Sequence, residues 1–300
     1  MDANKFNLSN VAAVTEEGTE VIGHLTWYSV SQMLIERDEL QKKLISSGLE
    51  EKWMPNPIRV HDAFRRATKE IQGRKRIGKD LFQNYLTREV YSDSDTVQRN
   101  IVMETVDQQG KRLDYNSESC IITLDKKAEN ITIFHNDPLA EEMAKEAERR
   151  FKIYRSNYSS QNIRVMLMEI LKSLGQISVR PNGGVYFIPA PYSEELDKFC
   201  YFANCLSSAE SFKVPLMNTK DNRNMVSKKL QGQIKTLINT SKLGLKGELN
   251  KNVVKETIAE AKRIVGSFND YKKIVENDVD LIEIYVEELR KQTALMIYAL

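Results

Sequence analysis

The stretch that decides the fold class is residues 84–135, where apolar and polar residues alternate instead of recurring every three to four positions. The alternating runs are "YLTREVY" (85–91), "NIVMETV" (100–106), "SCIITL" (119–124) and "NITIFH" (130–135). This period is typical of β-strands with one buried face. The connections "DQQGKR" (107–112) and "DKKAEN" (125–130) are too short for parallel crossovers, so we expect an antiparallel meander.

The region before the meander is predicted to be mainly helical. Residues 1–18 have no clear pattern and are expected to be frayed, while residues 20–30 contain strand-forming side chains. Ser29 and Gln32 have the spacing of a capping box, which predicts a helix from about residue 30 to residue 46.

A strongly basic stretch, "RVHDAFRRATKEIQGRKRIGKD" (59–80), holds eight Lys or Arg residues against three Asp or Glu residues. Its apolar positions recur at helical spacing: Val60, Phe64, Ala67 and Ile71. They predict a helix with one buried face, which Gly73 ends. The basic side chains then lie on the face turned to solvent or to a partner.

Two helices are predicted after the meander. Asp137 can cap the first, and Pro138 suits its first turn. Its predicted buried side is formed by Leu139, Met143, Ala147 and Phe151. The second helix, at 162–175, is apolar nearly all round, so we expect it to be the most buried helix.

A hairpin is predicted within "QISVRPNGGVYFIPAP" (176–191). Asn182-Gly183 is the preferred pair for a two-residue turn, because both positions require positive φ, and it would join 176–181 to 185–189. A helix at about 193–206 and a short strand at "FKVPLM" (212–217) follow, with Pro215 restricting that strand to an edge.

The C-terminal region carries a sustained 4-3 hydrophobic alternation, here called the seam. Its fourteen positions include twelve apolar residues, the exceptions being Lys272 and Thr293. The fourteen positions are Val254, Ile258, Ala261, Val265, Phe268, Lys272, Val275, Val279, Ile282, Val286, Leu289, Thr293, Met296 and Leu300. Together with a shorter stripe in 220–243, they predict a long antiparallel helical hairpin or a bundle between subunits.

The predicted fold is therefore α+β, with a mostly antiparallel sheet and covering helices. Three parts are expected: an N-terminal helical part (1–83), an α+β sheet domain (84–218) and a helical hairpin or coiled-coil segment (219–300). As an oligomerisation or docking seam we select the last part of the heptad pattern. Its residues are Val275, Val279, Ile282, Val286, Leu289 and Met296.

Composition excludes several classes of protein. The net charge of +2 argues against a DNA mimic and against a wholly basic nucleic-acid packager. No run of eighteen apolar residues predicts a membrane span, and the first twenty residues do not resemble a signal peptide. Three cysteines without metal-type spacing favour reduced thiols in a cytoplasm.

Residues suited to catalysis are sparse, and the sequence favours a protein that is not an enzyme. The histidines, His24, His61 and His135, lack a second ligand at metal spacing, so neither a metal nor a cofactor is predicted. Asp93 and Asp95 are interpreted as a polar turn between strands. A hydrolase or nuclease using Asp93, Asp95 or His61 is the weakest hypothesis.

A second basic run, "RRFKIYRSNY" (149–158), would form a nucleic-acid groove with the stretch 59–80 if both lay on one face. The alternative is that these charges only solvate helix exteriors. The candidate nucleic-acid-binding residues are Arg65, Arg66, Lys69, Arg74, Lys75, Arg76, Lys79, Arg149, Arg150 and Arg155.

Three features resemble an uncharacterised family of phage, prophage and bacterial proteins. They are Gly48-Leu49 before a Pro-rich linker, the "DAFRRA" helix (62–67) and the "GGVYF" hairpin (183–187). The similarity covers roughly residues 25–190. It implies a phage or mobile-element protein acting in a bacterial cytoplasm, and it carries no catalytic residue.

The function expected from the sequence is that of a non-enzymatic phage accessory protein that binds a host macromolecule. Inhibition of a host defence factor by protein–protein contact is one concrete form. The partner would be a host protein or a second copy of the chain, without a membrane. The alternative is a nucleic-acid-binding protein that uses the basic helix at 59–80 and the run at 149–155.

Overall fold

The structure is a computed structural model, and it describes residues 20–180 and 183–300, without the side chain of Asn277. The segment predicted to be frayed lies outside the described residues. The described chain is an α+β protein with antiparallel sheets, as predicted. None of its helices is both long and apolar enough to cross a membrane.

The chain divides into two compact units. One contains residues 34–40 and 55–162 and is called here the meander unit; the other contains residues 20–33, 41–54 and 163–300 and is called the helical unit. The predicted boundaries after residues 83 and 218 differ from this division. The physical reason is that the N-terminal strand pairs with strands beyond residue 184, which places it in a later part of the fold.

The meander unit is built on a five-stranded antiparallel sheet in sequential order. The four predicted strands are present as β4 (Leu81–Ser92), β5 (Thr96–Asp107), β6 (Arg112–Asp125) and β7 (Asn130–His135). A fifth strand, β3 (Gly73–Arg76), forms the edge next to β4.

Strand β3 corrects the prediction for the basic stretch. Helix α2 spans only Val60–Glu70, and Arg74 and Arg76 lie opposite Asn84 and Phe82 in the sheet. The basic stretch is therefore a helix followed by an edge strand. The apolar stripe at helical spacing ends at Ile71, and beyond it the backbone gains hydrogen bonds from β4 instead of from a further helical turn.

Helices α2 and α3 (Pro138–Ser156) cover one face of this sheet. Their buried side chains form one hydrophobic core with alternate residues of the strands, including Phe64 and Phe151 from the helices and Tyr85, Ile101 and Ile122 from the sheet. The predicted N-cap is confirmed, since the Asp137 carboxylate accepts hydrogen bonds from the backbone N–H groups of Leu139 and Ala140. A short ribbon of β2 (Leu34–Glu36) and β8 (Asn157–Ser159) completes the unit.

Helix α1 (Arg37–Ser46) begins seven residues later than predicted from the capping box. Ser29 and Val30 belong to strand β1 (Val21–Val30), so they cannot start a helix. The strand-forming composition of 20–30 was therefore the correct signal. In the helical unit β1 is paired on both sides, within the order β11-β1-β10-β9.

The other strands of this sheet are β9 (Ile177–Ser178), β10 (Val185–Pro189) and β11 (Ala209–Met217). Strand β11 is an edge strand, which agrees with the prediction for Pro215. The β9–β10 hairpin is present, but Ser178 lies opposite Tyr186. A two-residue turn at 182–183 requires Ser178 opposite Phe187, so that turn prediction is wrong by one residue in register. Asn182 itself lies outside the described residues.

Helix α4 (Ser160–Ser173) and helix α5 (Ser193–Cys205) are close to their predicted positions. Helix α4 was predicted to be the most buried helix because its sequence is apolar nearly all round, yet it is buried on one side only. Val165 is half exposed, while Ile163, Leu167 and Leu171 are buried. The helix is amphipathic because only one of its apolar sides meets the core.

The predicted C-terminal hairpin is instead a set of three helices, α6 (Lys220–Leu245), α7 (Lys251–Tyr271) and α8 (Val279–Tyr298). The heptad pattern continues across the break at 272–278, where Lys272 occupies a seam position and is exposed. Its charged amine forms an ion pair with the Glu283 carboxylate at 2.6 Å. The three helices share one hydrophobic core with the sheet strands β9 and β10.

Candidate functional site

The two basic runs meet in the meander unit, at Glu70. Its carboxylate accepts hydrogen bonds from Arg66 Nε at 3.0 Å, from Arg150 at 3.3 Å and from the Tyr154 hydroxyl. The Arg66 guanidinium stacks on the Tyr154 ring, with 3.9 Å between its carbon and the ring centre. Side chains from α2 and α3 therefore converge on one carboxylate.

The Glu70 carboxylate offsets part of the positive charge of Arg66 and Arg150. Burial by itself raises the pKa of Glu70, but hydrogen bonds from Tyr154 and Arg66 and the charge of Arg150 outweigh it, and the net shift is downwards. The carboxylate therefore stays ionised, and it holds the guanidinium groups of Arg66 and Arg150 by charge-assisted hydrogen bonds.

Other arginines of the predicted set are paired in the same way. Each forms an ion pair with a carboxylate of its own unit: Arg65 with Asp62 at 2.8 Å, Arg149 and Arg150 with Glu146 at 2.7 Å, and Arg155 with Glu129 at 2.7 Å. The hydrogen bond from Arg155 lowers the pKa of Glu129. Phosphates would have to compete with these carboxylates, so the α2–α3 surface is a weak polyanion site.

A surface cleft of about 450 Å³ lies beside this ion-paired network. Its lining includes the stacked pair Arg66 and Tyr154, the side chains of Arg59 and Asp62, and the amide of Asn162. The charged groups in it are of both signs. The cleft is therefore suited to a polar group and does not form a positively charged channel.

The remaining basic residues of the stretch lie on β3 and just beyond it. Arg74, Lys75, Arg76 and Lys79 are all exposed. The Arg74 guanidinium lies over the ring of Phe82 at 4.0 Å, and Arg76 donates a hydrogen bond to the Gly78 carbonyl at 2.9 Å. Lys69 is exposed on α2.

Strand register defines a second surface, on the side of the sheet opposite α2 and α3 and called here the open face. Directly opposed residues share a face, and successive residues alternate between faces. Tyr85 faces the helices, so Phe82 and its partners Arg76 and Val106 face away. The basic and aromatic members of the open face are Arg74, Arg76, Phe82, Arg88, Tyr91, Arg112, Tyr115 and Phe134.

The open face has large aromatic side chains in solvent. Phe134 is 61% exposed and Tyr115 is 46% exposed. Arg112 lies over the Tyr115 ring at 5.1 Å and also pairs with Glu104 at 2.7 Å. The charge of the stretch 59–80 indicated Arg74 and Arg76, but no charge run or motif indicated Arg88, Arg112 or the rings of Tyr115 and Phe134. The parity of positions within the predicted strands was the signal that could have grouped them.

The seam lies in the interior of the helical unit. Ile282 and Leu289 are fully buried, Val275, Val286 and Met296 are at most 2% exposed, and Val279 is partly buried against the same core. These residues are held within one chain, so the prediction that they form an oligomer or docking surface is corrected. Apolar side chains of α6 and α7 already occupy the space that a partner would fill.

The histidine and aspartate candidates have structural roles. The Asp93 carboxylate accepts hydrogen bonds from the Tyr91 hydroxyl and from the backbone of Asp95 and Thr96, and the Tyr91 bond is the main cause of its lowered pKa. This is the polar turn expected between β4 and β5. His61 lies 3.5 Å from Asp62 and His135 lies 3.4 Å from Glu141.

The pKa of His24 is lowered, first by burial and then by the charge of Lys213. Within residues 20–180 and 183–300, no three His, Cys, Asp or Glu side chains are grouped so that they could hold a metal ion.

Comparison with known proteins places the chain in one family. A family model described as a family of unknown function (DUF6744) matches residues 21–299, so the chain belongs to that family. No curated protein and no solved structure shows a significant match to the chain.

Proposed function

We propose that this member of the family acts by binding a macromolecule of a bacterial host through the open face of the meander unit, without catalysis of its own. The observation that carries the proposal is the contrast between the two faces of one sheet. One face is covered by α2 and α3, while the other presents Phe134 and Tyr115 to solvent, although Val102 and Val106 of its central strand are buried. Exposed aromatic side chains beside arginines are typical of binding surfaces.

The finer form of the proposal concerns origin and partner. The similarity of the "DAFRRA" and "GGVYF" segments to phage and prophage proteins supports a phage accessory protein that acts in the host cytoplasm. Inhibition of a host defence factor by direct contact is one form of this activity. The seam supports the fold and takes no part in the proposed contact.

Site-specific photo-crosslinking in bacterial cells tests the proposal. A photoreactive phenylalanine analogue is placed at Phe134, and the same group is placed at Tyr201 on α5 as a control. The two positions are 61% and 59% exposed, so general surface collisions should label both equally. We expect a discrete, high-mass adduct at position 134 that is missing at position 201. Equal labelling at the two positions would contradict binding through the open face.

A further inference from the structure

We propose that the macromolecule bound by the open face is single-stranded nucleic acid, an inference that rests on the binding function proposed above. It differs from the hypothesis drawn from the basic helix, because it uses the sheet instead of α2 and α3. Three properties of the open face support it: its aromatic rings, its charge, and the way rings and arginines are arranged in cross-strand rows.

The aromatic rings are placed as platforms for bases. Tyr115 and Phe134 lie exposed on two neighbouring strands of this face, and Phe82, on a third strand, is half-buried with the Arg74 guanidinium over its ring. Neighbouring strands are about 4.8 Å apart, so Phe82 on β4 and Tyr115 on β6 are separated by roughly 10 Å across the sheet. A flexible single strand can reach several such rings and stack one base on each. Bases inside a duplex are already stacked and paired, so they cannot use these rings.

The charge of the open face complements a phosphate backbone. Four arginines project from it: Arg74, Arg76, Arg88 and Arg112. Two carboxylates share the face. Glu104 is paired with Arg112 at 2.7 Å, and the Asp125 carboxylate accepts hydrogen bonds from the backbone N–H groups of Lys127 and Ala128. Lys75 and Lys79 add charge along the β3 edge.

Arginines and aromatic rings share the cross-strand rows of the open face. In one cross-strand row Arg76 is followed by Phe82, Val106 and Arg112, and in another Arg88 is followed by Asn100, Ile121 and Phe134. Phosphates can contact the arginines while bases stack on the neighbouring rings. An acidic protein segment would match the charge, but it could stack on these rings only where it carries an aromatic residue, whereas every nucleotide carries both a phosphate and a flat base. The geometry therefore favours a nucleic-acid strand.

Binding of this type is expected to be tolerant of sequence. Stacking and phosphate contacts carry little base identity, because every base has an aromatic face and every nucleotide has a phosphate. The Asn100 amide, which is suited to reading base edges, already donates to the Ser117 carbonyl and accepts from Gln98. We therefore expect similar affinities for single-stranded DNA and RNA of mixed sequence.

Fluorescence anisotropy with the full chain tests this inference. The probes are a labelled 20-nucleotide poly-dT strand, a poly-U strand and a 20-base-pair duplex, titrated at about 50 mM salt and above. Both single strands should bind, more tightly than the duplex. Phe134→Ala and Tyr115→Ala should each weaken binding roughly five- to hundred-fold while leaving the salt dependence unchanged.

The charge variant and its control separate the open face from the basic helices. Arg74→Gln with Arg76→Gln should lower the slope of log affinity against log salt by about 1.4, because each phosphate contact on a single strand contributes about 0.7. Lys145→Gln with Lys152→Gln removes the same charge from α3, at side chains that are 66% and 72% exposed. This control should bind like the parent. For the rings, Tyr201→Ala is the matched control.

Three results would overturn the inference: no binding of either single strand at about 50 mM salt, equal or tighter binding of the duplex, or an equal loss in the α3 control. The photo-crosslinked adduct at position 134 shows whether only the nucleic-acid partner is wrong or whether binding through the open face is wrong as well. An adduct removed by nuclease supports single-stranded nucleic acid. An adduct that nuclease leaves unchanged, and that yields peptides of a second protein in mass spectrometry, supports the binding function and overturns the nucleic-acid partner. Equal labelling at positions 134 and 201 would contradict both the binding function and the nucleic-acid partner.

Discussion

The seam of the helical unit and the open face of the meander unit differ in how much of their apolar surface is exposed to solvent. The seam has the longer hydrophobic pattern, and Ile282 and Leu289 within it are completely buried. The open face has a weaker pattern, yet Phe134 and Tyr115 remain in solvent. A long apolar pattern with few polar interruptions therefore indicates a core that the chain can fill by itself. Large apolar groups that stay exposed on a covered sheet are better indicators of binding.

The largest expected effect comes from a charge placed in the seam. Ile282→Asp buries an unpaired carboxylate in a fully enclosed position and should lower the free energy of unfolding by about 3–5 kcal/mol. Ile284→Asp on the same helix is the matched control, because Ile284 is 65% exposed and should change stability by less than about 0.5 kcal/mol. Denaturant unfolding measures both. Parent-like stability of Ile282→Asp would show that the seam is not a core.

A second comparison concerns two phenylalanines on opposite sides of the five-stranded sheet. Phe64 on α2 is fully buried against Phe151, and truncation to Ala should cost about 3–5 kcal/mol through lost burial and the cavity left behind. Phe134→Ala should cost less than about 1 kcal/mol, since its ring is mostly in solvent. Thermal melting of the two variants measures this difference in lost stability. A similar loss in both would mean that the open face is part of the core.

The smallest expected effect concerns the ion pairs that occupy the α2–α3 arginines. The folded pKa of Glu70 lies below its unfolded value, so its ionised form stabilises the fold above the unfolded pKa, and this contribution is lost as pH falls through the folded pKa. Glu70→Gln should lower stability at pH 7 by up to about 1 kcal/mol, because the pair is partly exposed.

The difference between this variant and the parent should be smaller at pH 3 than at pH 7, because the Glu70 carboxylate loses its charge as pH falls through its folded pKa. Glu118→Gln, at an exposed position in β6 of the same unit, is the control and should change little at either pH. Denaturant unfolding of the three proteins at both pH values makes the comparison. A loss at pH 7 that persists unchanged at pH 3 would show that the charge of Glu70 is not its source.

Local features of the fold could be predicted wherever short-range chemistry decides them. The alternation in 85–91 and 119–124 predicted strands, and Asp137 with Pro138 predicted the start of α3. Predictions failed where a local signal competed with a distant one. Ser29 and Gln32 have capping-box spacing, but the pairing of Val30 with Ala209 in β11 holds that segment as a strand.

The candidate site was predicted only in part for the same reason. Arg74 and Arg76 were selected from the charge of the stretch 59–80, but the edge strand that holds them was not predicted. Phe134 and Arg112 were not selected, because nothing local distinguishes an exposed strand face from a covered one. Pairing of strands far apart in the chain brings these residues onto one surface.

The sequence by itself determined the class of fold, the strands of the meander, the cap of α3 and the heptad pattern of the seam, because propensity, periodicity and capping act over a few residues. Tertiary structure alone decided that the seam is filled from within the chain, that Glu70 pairs with arginines of two helices and that aromatic side chains stay exposed on one face of the sheet. Each of these depends on which distant side chains arrive to bury a surface or to pair a charge. Burial and electrostatic pairing are properties of the assembled three-dimensional neighbourhood, so a local pattern cannot specify them.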